Sequence, residues 1–187
     1  MDMNVVADRG LVLLGCGKMG SAMLQGWLAD GLPPTSVWVK DPFPSDWLKA
    51  TAVNINLELP KEPAIVLVAV KPQMMAAALP SLKSMGNGRT LFVSVAAGIS
   101  IANYEEVLGE STPVVRAMPN TPAAVGKGIT AVFGNVQAGE AGLVLAETLI
   151  RAVGQVVRLV RETQMDAVTG VSGSGPAYVF HLSETLA

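Results

Sequence analysis

The sequence predicts an α/β fold in which a mostly parallel, doubly wound sheet precedes a second, helical segment. Apolar segments of strand length alternate along the chain with segments of helical periodicity, and this alternation is typical of parallel strands joined by crossover helices. Residues 64–70 are apolar throughout. Because a half-exposed strand would alternate between apolar and polar residues, this run predicts a central strand that is covered on both faces.

The first predicted strand and helix enclose a glycine-rich turn. Residues 11–14 are apolar, and the turn after them has the spacing G-x-G-x-x-G: Gly15, Cys16, Gly17, Lys18, Met19 and Gly20. The first glycine of such a turn allows the tight bend, the second lets a ligand approach the backbone, and the third lets the helix pack on the strand. The N–H groups of the helix N-terminus bind a pyrophosphate. This context predicts a dinucleotide site, with a purely structural turn as the alternative.

The helix after this turn is predicted over residues 21–30. Its apolar residues share one helical face, and a glycine stands where the helix would end: Met23, Leu24, Trp27, Leu28 and Gly31. Apolar runs predict the later strands at residues 36–39, 53–55, 64–70, 90–95, 114–118, 129–133 and 155–159. Helical spacing predicts the later helices at residues 73–85, 100–108, 138–152 and 165–171, and again from residue 177 onward.

Three other segments are predicted to lie outside these elements. Residues 1–10 have no clear periodicity and are expected to include a ragged terminus. Glycines predict a turn at residues 86–88, and the glycine and proline content of residues 172–176 predicts a break between the last two helices.

Composition excludes several classes of protein. The 187 residues are 50% hydrophobic with a mean hydropathy of +0.44, enough to bury a substantial core. No apolar run reaches the roughly 18 residues of a membrane span, and no signal-peptide pattern occurs, so a cytoplasmic protein that does not enter the membrane is expected. The net charge of −2, without a basic stripe, argues against nucleic acid as a partner.

The cysteine and histidine content bears on the chemistry. One cysteine and one histidine exclude a disulfide framework and a zinc site built from several such ligands. No metal site is therefore expected, and the chemistry must come largely from a bound cofactor.

Three further segments end predicted strands at the edge where a doubly wound sheet binds its ligand. Lys71 could reach a phosphate or a ribose hydroxyl, although a solvated surface lysine is an equal alternative. The small residues 94–98 leave room for a flat ring, or simply pack closely. The loop 116–122, stiffened by prolines, offers Asn120 and Thr121 as hydrogen-bonding groups, a pattern that turn chemistry alone also explains.

The end of the second predicted strand bears on the choice of dinucleotide. An acidic residue about 20 positions after the glycines usually binds the ribose 2′-hydroxyl of NAD, whereas a cation accommodates the 2′-phosphate of NADP. Here Lys40 and Asp41 are adjacent. Loop geometry decides which side chain faces the ribose, so the residues leave both NADP(H) and NAD(H) open.

The motifs at these strand ends, taken in order, closely resemble one enzyme family. Besides the glycine turn, the segments that carry the resemblance are Ala69-Val70-Lys71-Pro72, Ser94-Val95-Ala96-Ala97-Gly98, Arg116-Ala117-Met118-Pro119-Asn120-Thr121-Pro122 and Val171-Ser172-Gly173-Ser174-Gly175-Pro176-Ala177-Tyr178. In order and spacing they resemble pyrroline-5-carboxylate reductase, and the resemblance covers residues 11–187.

This resemblance implies a fold, a reaction and partners. It implies a Rossmann-type dinucleotide-binding domain in residues 1–161 and, in residues 162–187, the beginning of an all-α dimerisation domain. The implied reaction is the reduction of L-1-pyrroline-5-carboxylate to L-proline by hydride transfer from NADPH or NADH, the last step of proline biosynthesis. Full-length members of the family form a homodimer or a larger homo-oligomer.

The resemblance also implies roles for individual residues. Lys71 and Asn120 would position the reacting rings and so serve catalysis. The implied cofactor contacts are Gly15, Cys16, Gly17, Lys18, Met19, Gly20, Lys40, Asp41, Asn56, Ala69, Val70, Lys71, Pro72, Ala96, Ala97, Gly98 and Asn120. The substrate pocket would be bordered by Ser172, Gly173, Ser174, Gly175 and Pro176.

Two departures from the family pattern qualify these implications. Lys40 and Asp41 stand where many relatives have small polar or basic residues, which weakens the expectation of NADPH. The last helix shows no stop signal, and the chain ends before the family's loop for the substrate carboxylate. We therefore expect this chain to bind the dinucleotide but to reduce the imine poorly.

Two other functions are compatible with the glycine turn. A β-hydroxyacid or F420-linked oxidoreductase has the same architecture but lacks the motifs at residues 118–122 and 172–176. A non-catalytic domain would bind NAD(P)H only to alter its association with a partner.

Overall fold

A single eight-stranded sheet forms the centre of the molecule in the computed structural model, which describes residues 3–86 and 88–187. The strands are β1 (Leu11–Leu14), β2 (Val37–Lys40), β3 (Asn54–Ile55), β4 (Ile65–Val68), β5 (Leu91–Ser94), β6 (Val114–Met118), β7 (Gly128–Gly134) and β8 (Gly154–Arg158). The predicted strands are confirmed, with bounds that differ by a few residues.

Helices flank the sheet. The α-helices are α1 (Asn4–Arg9), α2 (Lys18–Ala29), α3 (Asp46–Lys49), α4 (Met75–Ala78), α5 (Ile101–Leu108), α6 (Gly139–Ile150), α7 (Gln164–Val168) and α8 (Gly175–Leu186). The predicted helix at residues 21–30 begins three residues earlier, at Lys18, directly after the second glycine of the turn. Among the residues described, no helix has the length and apolar character needed to cross a membrane.

The strand order is β3-β2-β1-β4-β5-β6-β7-β8. All neighbouring pairs are parallel except β6 and β7. The connection from β6 to β7 contains only a short 3₁₀ segment, Thr121–Val125, and a parallel pair would need a longer crossover. The mostly parallel, doubly wound sheet is therefore confirmed. Its order reverses at β1, which lies between β2 and β4, and such a reversal opens a crevice at the carboxyl ends of the strands.

Two hydrophobic cores cover the two faces of the sheet. Because side chains alternate along a strand, Leu11 and Leu13 of β1 enter one core, where Trp27 of α2 packs. Val12 and Leu14 enter the other core, which also contains Tyr104 of α5 and Leu82 of the 3₁₀ segment at Leu79–Met85. The central strands are buried on both faces, as their continuous apolar runs predict.

The expectation of a ragged terminus at residues 1–10 is wrong for the part that is described. Residues Asn4–Arg9 form α1, and Val6 is fully buried in the first core. The Arg9 guanidinium donates to the carbonyl oxygens of Glu62 and Arg89. A helix of this length offers too few apolar positions to show a period. Residues 1 and 2, and residue 87 of the predicted turn, lie outside the described residues.

The predicted helix at residues 73–85 is only partly α-helical. A 3₁₀ segment at Pro72–Met74 leads into the single α-turn of α4, and a second 3₁₀ segment follows at Leu79–Met85. Pro80 explains the interruption, because proline has no N–H to donate and its ring clashes with the carbonyl four residues earlier.

The predicted break between the last two helices at residues 172–176 is also wrong, because a wider helical turn connects them. Residues Thr169–Gly173 form a π-helical turn that continues α7, and α8 begins at Gly175. The N–H of Ser174 donates to the carbonyl of Thr169 at 3.1 Å, which closes the wider turn. Pro176 lies in the first turn of α8, where its missing N–H costs nothing.

We predict that Trp27→Phe destabilises the fold. The buried Nε1 of Trp27 donates to the carbonyl of Leu149 at 2.8 Å and so ties α2 to α6. Phenylalanine removes this buried hydrogen bond, and the free energy of unfolding in urea should fall by about 1–3 kcal/mol. Trp47→Phe, at a side chain that is 37% exposed, is the matched control and should change it by under about 0.5 kcal/mol. Equal losses in the two variants would contradict the prediction.

Candidate functional site at the carboxyl ends of β1 and β4

The glycine turn has little space on one side and open space on the other. Gly15 has φ +88°, a left-handed conformation that favours glycine, and a Cβ there would lie 2.9 Å from Val70 Cγ1. A Cβ at Gly20 would overlap the carbonyl oxygen of Gly15, so α2 packs directly on the end of β1. A Cβ at Gly17 would meet no atom within 4 Å. The protein's own packing therefore does not explain Gly17, whereas the close approach of a ligand does.

The N-terminus of α2 is open for an anion. Gly17 is its N-cap and provides no side-chain hydrogen bond to the first turn. The backbone N–H groups of that turn have no intrahelical acceptor, and the helix dipole places positive charge beside them. A pyrophosphate fits this arrangement.

Polar residues at the ends of β2 and β3 form a connected cluster next to the turn. The Asp41 carboxylate accepts the N–H of Cys16 at 2.7 Å and the N–H of Phe43 at 2.8 Å. The Asn56 side chain bonds both the N–H and the carbonyl of Asp41, at 3.0 and 2.8 Å. Lys40 Nζ donates to the carbonyl of Asn56 at 3.2 Å. Asn56 has φ +54°, a left-handed conformation that asparagine tolerates better than most residues.

This cluster borders a cavity of about 370 Å³. The lining residues come from the ends of β1 and β2, from the loops after β3 and β4, and from α4 and the 3₁₀ segment before it: Leu14, Lys40, Asp41, Pro42, Asn56, Val70, Met74, Ala77 and Ala78. The structure thus brings Asn56 together with Lys40 and Asp41, which were singled out at a separate place in the sequence. The wall formed by Met74, Ala77 and Ala78 was not foreseen.

A second cavity, of about 360 Å³, lies against the first turns of α2. Its lining is mostly apolar and comes from α2, the β5 and β6 ends and the π turn: Lys18, Met19, Ala22, Val95, Met118, Pro119, Asn120, Thr121, Ala124 and Gly173. It joins the glycine turn to the loop at residues 116–122 and to the segment after α7.

Asn120 is held firmly beside this second cavity. It is buried, its Oδ1 accepts the N–H of Ile129 at 3.0 Å, and its Nδ2 donates to Ser172 Oγ at 3.3 Å. A Cβ at Gly173 would lie 2.8 Å from Met118 Cε, so the π turn packs closely on the end of β6. Ser174 Oγ instead donates to the carbonyl of Thr169 at 3.2 Å. Ser172 and Gly173 therefore face the site, while Ser174 bonds within its own segment.

The ends of β4 and β5 carry the remaining predicted residues. Lys71 is exposed and precedes the 3₁₀ segment, with Pro72 in its first turn. The N–H of Ala69 donates to the carbonyl of Leu14 at 2.8 Å, which keeps this strand end beside the glycine turn. Ala96 is buried and Gly98 is exposed, with φ +74°. These small residues leave the backbone open at the crevice.

Sequence reasoning missed a polar contact beneath this loop. Ser94 Oγ accepts the N–H of Ala96 at 3.2 Å and bonds the buried hydroxyl of Tyr104. Burial raises the pKa of Tyr104 to about 12, so its hydroxyl stays protonated at neutral pH and can donate to Ser94. A tyrosine on the apolar face of a predicted helix was the available signal.

A doubly wound sheet with an open glycine turn at its reversal point defines a dinucleotide-binding α/β protein. Residues 10–98 match the family described as NADP oxidoreductase, coenzyme F420-dependent, and residues 162–187 match pyrroline-5-carboxylate reductase dimerisation. The pyrroline-5-carboxylate reductase of Pseudomonas aeruginosa is 37% identical over 182 residues, which cover 94% of this chain and 67% of the relative. The chain belongs to the pyrroline-5-carboxylate reductase family, and the resemblance in its motifs is confirmed.

Solved structures of this family have the same fold. The enzyme from Coxiella burnetii superposes with a TM-score of 0.87 at 31% identity, covering 95% of this chain and 68% of that one. The Plasmodium falciparum enzyme, solved with NADP bound, gives a TM-score of 0.85 at 27% identity and covers 96% and 68%. This chain thus spans about two-thirds of the length of these relatives.

We predict that Cys16 is a poorly reactive thiol. Burial, and to a smaller extent the negative charge of the Asp41 carboxylate, together raise its pKa from 9.0 to about 11. At pH 8 the folded protein then holds about 100-fold less thiolate than the unfolded chain. Alkylation by iodoacetamide, followed by mass spectrometry across pH, should have its midpoint near pH 11 in the folded protein.

Asp41→Asn tests the part that charge plays in this shift. It removes the negative charge and should move the alkylation midpoint to lower pH. Asp46→Asn, at an exposed carboxylate paired with Lys49, should leave the midpoint unchanged. Identical midpoints in the wild-type protein and Asp41→Asn would show that the carboxylate does not influence the thiol.

Proposed function

We propose that this protein reduces L-1-pyrroline-5-carboxylate to L-proline with NADPH or NADH, the closing step of proline biosynthesis. One observation carries the proposal. The open glycine turn borders a mostly apolar cavity, and residues of the family's own motifs line that cavity. Relatives named pyrroline-5-carboxylate reductase match nearly the whole chain, the Synechocystis protein at 40% identity over 184 residues. A structural neighbour holds NADP.

The residues present fit a dinucleotide. We assign the pyrophosphate to the backbone of Gly15–Gly20 at the N-terminus of α2 and the adenosine ribose to the cavity bordered by Lys40, Asp41 and Asn56. The nicotinamide half is then assigned to the ends of β4 and β5, at Ala69, Val70, Lys71, Pro72, Ala96, Ala97 and Gly98. The opening at Gly17 supports this assignment, because a side chain there would stand where the pyrophosphate approaches.

The second cavity suits the reacting rings. When bound, the reduced nicotinamide supplies a hydride to the imine carbon. The protein's task is to hold two flat rings face to face and to keep water from them. The apolar lining contributed by Met19, Val95 and Met118 excludes water. Asn120, fixed by Ile129 and Ser172, and the exposed Lys71 after the end of β4 are assigned as positioning residues. Residues 172–176 are assigned to the border of the imine pocket.

Assembly and location complete the proposal. Several large apolar side chains of α8 are exposed, among them Tyr178 at 71% and Leu182 at 60%. Such a helix face needs a partner, and this segment matches the family's dimerisation region. We therefore propose a homodimer formed through residues 162–187, a dinucleotide-binding domain in residues 1–161, and a cytoplasmic location.

The reverse reaction tests the function. With the protein as the cell makes it, L-proline should drive the reduction of NADP⁺ or NAD⁺ at alkaline pH, because the oxidation releases protons, and the rise in absorbance of the reduced cofactor measures it. β-Hydroxy acids should give no signal. Turnover of hydroxy acids instead of proline would overturn the assignment, and tight NADPH binding without any turnover would favour a non-catalytic domain.

We predict that Gly17→Ala weakens dinucleotide binding without unfolding the protein. The added methyl group meets no protein atom within 4 Å but stands in the path of the pyrophosphate. The Kd for NADPH, measured by the quenching of tryptophan fluorescence, should rise at least about tenfold, which corresponds to about 1.4 kcal/mol.

Gly170→Ala is the matched control, since a Cβ there also has open space around it and lies outside the assigned cofactor contacts. Both variants should unfold in urea at the wild-type midpoint. An unchanged Kd in Gly17→Ala would show that the pyrophosphate does not bind at this turn.

A further inference from the structure

One carboxylate at the start of residues 162–187 binds two elements of the sheet domain at once. Glu162 Oε1 lies 2.6 Å from Arg116 Nη1 and accepts the N–H of Ile101 at 2.8 Å. Arg116 belongs to β6, and Ile101 is the first residue of α5. The Arg116 and Glu162 side chains are 11% and 28% exposed, so water screens this ion pair less than a surface pair. The positive N-terminus of α5 strengthens the contact.

The segment that begins at Glu162 carries the substrate side of the site. It continues through α7, where Met165 is buried, into the π turn that places Ser172 against Asn120 and Gly173 against Met118. Internal hydrogen bonds run along it, including the bond from Thr169 Oγ1 to the carbonyl of Met165 at 2.8 Å. Because α7 and the π turn are continuous, a displacement at Glu162 is passed on to Ser172.

Arg116, the other member of the ion pair, belongs to the strand that borders the second cavity. Arg116 lies two residues before Met118, the last residue of β6, and Asn120 follows in the loop directly after the strand. The pair therefore ties the β6 wall of the second cavity to the π-turn wall. If it is removed, Met118 stays in the sheet, while the segment that carries Ser172 and Gly173 loses its ion pair with β6 and keeps, among the described residues, only the bond between Ser172 and Asn120 as a polar contact with this wall.

We propose that Glu162 is a positioning residue for the imine side of the active site. It acts through Ser172 and Gly173 and does not touch substrate or cofactor. The cofactor side is held separately, by the glycine turn and the Asp41 cluster. This inference rests on the proposed function, because a split between substrate and cofactor effects presumes an imine bound in the second cavity.

The test compares Glu162→Ala with Glu162→Gln in the protein as the cell makes it. Glu162→Ala should raise KM for pyrroline-5-carboxylate about tenfold, since small misplacements in a site have effects of this size or larger. KM for NADPH should change less than about twofold. Glu162→Gln keeps an oxygen for the N–H of Ile101 and should recover part of the loss. Glu140→Ala, at an exposed carboxylate paired with Arg158, is the control and should change neither KM.

Hydrogen exchange gives a readout that does not depend on turnover. In Glu162→Ala, amide exchange should become faster in peptides from residues 162–174 and stay at the wild-type rate in peptides from β1 and α2. An unchanged KM for the imine, or equal rises in both KM values with faster exchange throughout the sheet, would overturn the inference. Absence of proline-dependent turnover in the wild-type protein would instead overturn the proposed function, and the exchange pattern would still report on the anchoring.

Discussion

The approach of α2 to the end of β1 is the constraint on which the candidate site depends. No side chain fits between Gly20 and the carbonyl oxygen of Gly15, so the helix begins directly at the reversal point of the sheet. Its uncapped first turn then faces the crevice, and Lys18 and Met19 form one wall of the second cavity. A larger residue at this contact would move the helix and with it both the anion site and that wall.

Around this contact, buried or half-buried polar side chains hold the loops in place. Asp41 bonds the backbone of the glycine turn, Asn120 joins β7 to the π turn, and Glu162 joins β6 and α5 to the segment after β8. Most of these partners are backbone N–H groups, whose positions the sheet and helices already determine. The site is therefore largely formed before a ligand arrives, which lowers the ordering cost of binding.

Prediction from the sequence succeeded for elements whose packing produces a regular pattern of apolar residues. It failed where a single residue or a short segment departs from the regular helix. The strands were predictable because a continuous apolar run in a parallel sheet is buried on both faces. The helix at residues 73–85 failed because Pro80 breaks the α-helical pattern inside an apolar segment. Residues 172–176 read as a break, yet a π turn accommodates them between two helices. The short helix α1 could not be predicted from the sequence, because six residues are too few to show a helical period.

The sequence by itself determined the fold class, the position of the glycine turn and the family, because each of these depends on residue types at fixed spacings along the chain. Tertiary structure decided which of those residues meet. Asp41 turns toward Cys16, Asn56 bonds the backbone of Asp41, and Ser172 reaches Asn120 across 52 residues. Glu162, which no motif marks, is placed by the same folding. Contacts of this kind depend on how strands and helices pack in space, and no local pattern along the chain encodes that packing.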